Sequence, residues 1–423
     1  MMVYRERSKS LLFACLLFAM TFVAGPNRAV AAEPIKIGFG IAQSGALAPA
    51  GKAILIGLQI WAEDVNAKGG LLGRPVQLVF YDDQTNPANV PAIYTKLLDI
   101  DKVDLVISGH GTGVEAALMP LAMQRKLLVM GTIATAVNET FHYDRFFQIL
   151  PGGPDSKTAN SKGFFDLAMT MNPKPKTVAL VGSDLEFSQT QQAGARAIAK
   201  KLGLQIVYDH SFPPNTLDLT PVVRSIKATN PEIVWVATYP PETVAIVRAA
   251  RDVGLRPRMF GGGMVGLGYV ALKTQLGPLL NGIVNFDYFV PEPTMVFEGT
   301  ENFLKRYQER AAKEGTDPLG YYVTPYGYAE MQVLEQAIKA IGNLDQGKLA
   351  NYIRAASFKT IVGDVKFGRD GEWVEPRILF VQYQNVTGNG IEQFRHSGTQ
   401  IILFPPKLKS GDFIYPYSDV KRN

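Results

Sequence analysis

Apolar residues recur along the chain in two alternating rhythms. Short, nearly continuous runs at 35–40 (Ile35-Lys36-Ile37-Gly38-Phe39-Gly40), 76–81, 105–107 and 127–130 predict strands. Between them, Ile54, Leu58, Trp61 and Val65 fall four, three and four residues apart, which is one face of a helix closed by Gly69-Gly70. Val90, Ile93, Leu97 and Ile100, and the stretch 114–125, predict two more helices. After Pro151-Gly152-Gly153-Pro154 the rhythm restarts, with strands predicted at 178–181, 206–208 and 233–237 and helices at 189–202 and 242–253. Thr220-Pro221 predicts another helix, with Thr220 as its N-cap and proline at its first position. Buried-type strands alternating with helices predict parallel sheets covered on both faces. Two such runs predict an α/β protein of two doubly wound lobes. Beyond residue 300 come helical patterns at 301–313 and 328–341, then a strand-like region at 361–384 with turns at Gly363, Gly368 and Gly371. The tail 401–423, with Pro405-Pro406 and several aromatics, has no readable period.

Composition narrows the class. With 423 residues, 47% of them hydrophobic, there is material for two or more cored domains, and disorder is excluded. A single cysteine excludes a disulfide scaffold. At the N-terminus, Arg5, Arg7 and Lys9 precede an apolar stretch at 11–24 and then Ala29-Val30-Ala31-Ala32. This is the basic, apolar and small-residue order of a secretory signal peptide over 1–31, cleaved after Ala31 or Ala32. Cys15 sits too early in the apolar run for a lipoprotein site. The leader holds four basic residues and one acid, so 43 and 38 become 39 and 37 and the net charge falls from +5 to +2. That leaves little for a nucleic-acid partner. The mature chain has no thiol, which suits an oxidising, periplasmic compartment.

Little in the sequence suggests catalysis. No Walker A sequence and no G-x-S-x-G elbow occurs, and Gly38-Phe39-Gly40 lacks the third glycine of a dinucleotide fingerprint. His110, His142, His210 and His396 have no partner at metal-ligand spacing and read as surface or turn residues. Asp82-Asp83 reads as a solvated loop pair. Gly109-His110-Gly111-Thr112-Gly113 follows a strand and opens a helix, so it is either a tight turn or a set of amides that holds an anion. Tyr321, Tyr322, Tyr326 and Tyr328 belong either to a core or to a wet cleft.

Several segments together resemble one family. Ile35-Lys36-Ile37-Gly38 with Gln43-Ser44-Gly45, Asp64-Val65-Asn66-Ala67-Lys68-Gly69-Gly70 and Tyr81-Asp82-Asp83 occur in an order and spacing similar to type I periplasmic binding proteins. So do Ala134-Thr135-Ala136, Tyr239-Pro240-Pro241-Glu242 and Arg248-Ala249-Ala250-Arg251-Asp252-Val253-Gly254-Leu255. The resemblance is to the branch that serves leucine, isoleucine and valine importers of the ABC type, and it covers about 35–384. It implies two lobes joined by three crossover hinge strands near 148–152, 284–288 and 360–365, with the ligand cleft between them. Lobe one would be 33–150 plus 289–362, and lobe two 151–288 plus 363–400. It further implies a monomer that docks on an ABC permease complex in the inner membrane and uses no cofactor.

The resemblance also implies site residues. Thr112 and Thr135 match the positions that hold a ligand carboxylate. The carbonyl of Ile133 matches the acceptor of a ligand amine. Phe187, Tyr239 and the tyrosines Tyr322 and Tyr326 would enclose the ligand body. One departure stands out: Gly263 occupies the place of the acid that pairs with the ammonium in amino-acid binders, and no Asp or Glu occurs between Val253 and Phe286. Either Asp184, Glu186 or Asp287 replaces it, or the ligand is a carboxylate without an amine, such as an aromatic, 2-oxo or short aliphatic acid. A branched-chain or hydrophobic amino acid is the alternative ligand, and a sensory receptor domain the alternative role. An enzyme would need a nucleophile–base pair or a metal cluster, and none is legible.

Overall fold

The computed structural model describes residues 1–2 and 32–420. Apart from Met1 and Met2, the leader expected at 1–31 lies outside the described residues. The first sheet contains β1 (Ile35–Gly40), β2 (Val76–Tyr81), β3 (Leu105–Ile107), β4 (Val129–Gly131) and β5 (Phe146–Gln148). Its order is β2-β1-β3-β4-β5 and every pairing is parallel. The connecting helices are α1 (Ala48–Ala67), α2 (Val90–Asp99), α3 (Thr112–Arg125) and the short α4 (Asn138–Phe141). Helix α1 buries Ile54, Leu58, Trp61 and Val65 as their spacing predicts. It stops at Gly69 and Gly70, both at positive φ; a Cβ on Gly70 would lie 1.9 Å from the Arg74 carbonyl oxygen, so only glycine fits that turn.

The chain then crosses to a second sheet. Helix α5 (Ser156–Ala168) leads to β6 (Thr177–Ser183), α6 (Glu186–Lys201), β7 (Gln205–Phe212), α7 (Thr220–Ala228) and β8 (Ile233–Thr238). Next come α8 (Pro240–Val253), β9 (Met259–Met264), α9 (Val270–Leu276) and β10 (Val284–Asp287). Strands β7-β6-β8-β9-β10 are parallel and repeat the relative order of the first sheet. From β10 the chain returns through α10 (Thr300–Glu314), α11 (Thr324–Ile341) and α12 (Gln346–Ala355). Helices α10 and α11 cover α1: Trp61 Nε1 donates to Glu335 Oε2 at 2.9 Å, Tyr328 OH donates to Asp64 Oδ2 at 2.8 Å, and Arg306 pairs with Asp64. A hairpin of β11 (Ser357–Thr360) and β12 (Gly363–Lys366) precedes β13 (Leu379–Tyr383) and β14 (Gln400–Phe404). These two strands run antiparallel at the β10 edge and bring the second sheet to seven. Residues 401–404 therefore lie within this last strand, and the segment beyond returns along β13, where Gln382 pairs with the Ile414 backbone at 2.8 and 3.0 Å.

The alternating rhythm, two sheets and parallel strands agree with the sequence reading. Thr220 does not cap α7 as expected: it is the first helical residue, Leu219 holds the cap position, and Asp218 Oδ1 accepts from Thr220 N at 3.0 Å. Asp83 is no solvated loop residue. It is fully buried, accepts from Thr85 N at 2.8 Å, and burial pushes its carboxyl up to about 6. Its neighbour Asp82 accepts from Gln43 N at 2.8 Å and from Ser44 Oγ at 2.6 Å. The segments 43–45 and 81–83 are thus one bonded unit.

Candidate functional site: a cavity at the strand ends

Strands β3 and β4 end side by side, and their pairing continues beyond them as a single bridge between His110 and Ile133. Gly111 N donates to the Ile133 carbonyl at 2.8 Å. Gly111 itself has a φ of 122°, which glycine alone takes readily, and from it α3 opens at Thr112. The two loops are tied again where Thr135 N donates to Thr112 Oγ1 at 3.3 Å. The glycine-rich segment is therefore both the turn and the mouth of a helix N-terminus, where partial positive charge accumulates.

The second sheet supplies the other wall. Phe187 stands in the first turn of α6, Tyr239 just before α8, Val265 just after β9 and Tyr288 just after β10. All four lie at the carboxyl ends of parallel strands, where open α/β sheets form their crevices. Phe187 meets Tyr239 edge-on at 6.2 Å, and Tyr322 packs on Tyr288 at 5.5 Å. Between the walls lies a cavity of about 30 Å³, lined also by Leu47, His110, Ile133, Ala134 and Leu150. That volume holds about one water, far less than a carboxylic acid needs. The walls must part to admit a ligand.

A chain of hydrogen bonds through Asn160 crosses between the walls, beside a second link in which Glu139 on α4 accepts from Ser156 Oγ and Lys157 N on α5. Asn160 Nδ2, on α5, donates to Thr135 Oγ1 at 3.1 Å. Tyr288 OH donates to Asn160 Oδ1 at 3.3 Å, and Tyr326 OH donates to the Tyr288 carbonyl at 3.0 Å.

Of the residues singled out from sequence, Thr112, Ile133, Thr135, Phe187, Tyr239 and Tyr322 line this cavity. Tyr326 does not: it is fully buried behind Tyr288. Gly263 does not either. A Cβ there would sit 3.3 Å from Ala237 Cβ and from the Val236 carbonyl oxygen, inside the sheet. Val265, two residues on, is the one that reaches the cavity. The tyrosine cluster divides, with Tyr322 in the wall and Tyr328 on Asp64 beneath α1. His110, read as a surface or turn residue, is 4% exposed and part of the wall. Burial holds its imidazole down at about 4. Asn160 and Leu47 carried no readable signal, since each belongs to a loop or a helix without an apolar period; Leu150 and Tyr288 fall in the crossover segments that the resemblance implies, but nothing marked them as lining a cavity.

No Asp, Glu, Lys or Arg is among the residues lining the cavity. The three replacement acids are elsewhere. Asp184 and Glu186 are exposed, and Asp184 pairs with Gln189. Asp287 is buried against Lys273 at 4.0 Å and accepts from Gln400 at 3.1 Å and Tyr288 N at 2.8 Å. Burial raises the phenols of Tyr239, Tyr288 and Tyr322, so all three remain protonated donors.

A model of periplasmic binding proteins matches residues 34–389. The chain belongs to the periplasmic binding protein family. This periplasmic binding protein is 25% identical over 368 residues to the Leu/Ile/Val-binding protein of Escherichia coli (strain K12), covering 86% of this chain and 94% of the relative. Among solved structures, a leucine binding protein from Thermotoga maritima superposes with a TM-score of 0.72 at 20% identity, covering 84% of this chain and 96% of that one. A solute binding protein of an ABC transporter from R. palustris, in complex with benzoate, superposes with a TM-score of 0.71 at 18% identity, covering 88% and 95%. The expected two-lobe fold and the likeness to the leucine, isoleucine and valine branch are borne out.

Proposed function

We propose that this periplasmic binding protein captures a small monocarboxylate without an α-ammonium group and delivers it to an ABC permease in the inner membrane. It acts as a non-enzymatic, monomeric receptor in the periplasm, without a cofactor. The observation that carries the reading is a cavity wall with converging hydroxyls beside a helix N-terminus and no carboxylate. A carboxylate suits hydroxyls and helix-terminal amides. An ammonium desolvated without a partner is strongly unfavourable. The Ile133 carbonyl, the other candidate amine acceptor, is uncharged and already accepts from the Gly111 amide, so it leaves an ammonium's charge unpaired.

The lobes are 33–150 plus 289–362 and 151–288 plus 363–400, with two adjustments: 363–371 stays with the first, since β12 pairs with β11 and Gln148 N donates to the Gly371 carbonyl at 2.9 Å, and strand β14 extends the second. Ligand binds between them by hinge closure. Thr112 and Thr135 hold the carboxylate. Phe187, Tyr239 and Tyr322 enclose a flat or branched body, which puts aromatic and 2-oxo acids ahead of short aliphatic ones. The neighbour that holds benzoate supports this choice. The name of the Escherichia coli relative favours a second reading, a branched-chain amino acid.

Calorimetry with leucine, phenylalanine, their 2-oxo acids and substituted benzoates separates the two readings. Binding of amine-free acids, with leucine at least about tenfold weaker, is expected. Micromolar binding of leucine with no response to any amine-free acid would reject the proposal.

A further inference from the structure

We infer that His110 selects ligands bearing a hydroxyl or oxo oxygen next to the carboxylate, by hydrogen-bonding that oxygen; the inference rests on the carboxylate reading above. His110 lines the cavity and is 4% exposed, and its Nδ1 is buried without a hydrogen-bond partner. Thr112 Oγ1 and Thr135 Oγ1 accept from Thr135 N and from Asn160 Nδ2 and keep their hydroxyl hydrogens for the carboxylate, while Tyr288 OH donates to Asn160 Oδ1. Folded proteins retain few buried polar atoms with no partner, because each has given up its bonds to water. One that borders a binding cavity is free to bond a ligand atom.

The chemistry of that atom follows from the surroundings. No charged side chain lines the cavity, so the ring is not half of an ion pair. Burial alone lowers its pKa, to about 4, and the imidazole is neutral at neutral pH. A neutral ring offers one acceptor and one donor, which suit a hydroxyl or an oxo group rather than a carboxylate's full charge. Its position gives the place on the ligand. His110 is two residues from Thr112 and bridges Ile133, itself two residues from Thr135. An oxygen that reaches the ring therefore lies beside the anchored carboxylate, on the α carbon of an aliphatic acid or ortho on an aromatic one.

The test compares matched acids on the whole mature protein: 2-hydroxybenzoate with benzoate, and 4-methyl-2-oxopentanoate with 4-methylpentanoate. Wild type should bind the oxygenated member about tenfold more tightly, as one hydrogen bond implies. His110→Leu should reduce that ratio to about one, and His110→Gln, which keeps a donor and an acceptor, should preserve part of it. Independently of any variant, the imidazole nitrogen resonances of ¹⁵N-histidine-labelled wild type should shift with 2-hydroxybenzoate and not with benzoate. Amine-free acids that bind with no such ratio and no such shift, or a ratio that survives His110→Leu, would overturn the role of His110 and leave the carboxylate reading standing. Leucine binding with no acid binding would overturn that reading, and this inference with it.

Discussion

Asn160 Nδ2 donates to Thr135 Oγ1 at 3.1 Å, so a helix packed on the seven-stranded sheet is bonded to the proposed anchor threonine beyond the end of the five-stranded one. The bond restrains the closed arrangement, and Tyr288 holds the other end of the same amide. Asn160→Ala should therefore loosen closure. Small-angle scattering of the unliganded variant should give a larger radius of gyration than unliganded wild type, and ligand should shrink both. Equal radii for the two unliganded proteins would show that the bond is no restraint.

In the proposed site Thr135 anchors every acid of the panel. Thr135→Val removes its hydroxyl and should weaken the whole calorimetric panel by about 10- to 150-fold, the range for a hydrogen bond to a charged group. A loss confined to one ligand would place the carboxylate elsewhere.

The place for an ammonium acceptor is testable by gain of function. Val265 reaches the cavity and Gly263 does not. Val265→Asp should move the affinity ratio of leucine to 4-methylpentanoate toward leucine by about tenfold or more. Gly263→Asp should leave the ratio unchanged and lower the melting temperature, because its side chain would press on Ala237 and Trp235.

A buried acid in the first turn of α3 makes stability depend on pH. Glu115 is fully buried, accepts from Ser108 Oγ at 2.6 Å and Gln148 Nε2 at 2.9 Å, and burial pushes its carboxyl up to about 8. Glu330, bonded to Thr132, and Glu372 are likewise raised by burial. Above its unfolded value near 4.5 the unfolded chain has lost this proton while the folded chain keeps it. Glu115 therefore costs stability progressively as pH rises from about 4.5 to about 8, by about 1.4 kcal/mol per unit. Urea unfolding at a series of pH values should show this decline, and Glu115→Gln should flatten it. An unchanged slope would mean that Glu115 does not carry the effect.

The periodic elements were legible because their burial is periodic. Helix α1 shows its face in Ile54, Leu58, Trp61 and Val65, and β1 and β8 are nearly continuous apolar runs, broken in β1 by Lys36 and ended in β8 by Thr238. Helix α5 was not legible, since its buried side includes Ser156, Asn160 and Ser161 and its pattern carries no apolar period. The same polar face brings Asn160 to the site, so the missed helix and the missed residue have one cause. Thr112 and Thr135 were found through the resemblance, which marks loop positions directly. His110 was missed because a lone histidine between glycines looks like a turn, and only the β3–β4 pairing turns it into the wall. Gly263 was placed two residues short of the cavity because a sequence comparison cannot see which way a strand end faces.

The order in which the elements are joined has a consequence for biosynthesis. A nascent chain that has just passed residue 148 already holds all five strands of the first sheet, but not α10 and α11, which cover α1. The second sheet waits longer still, because β14 ends at Phe404 and the segment beyond it bonds to Gln382. The cluster from Val90 to Phe146 can close early, but each half completes its packing only after these later segments have emerged. A fragment released early would present the bare edge of β13 to its neighbours.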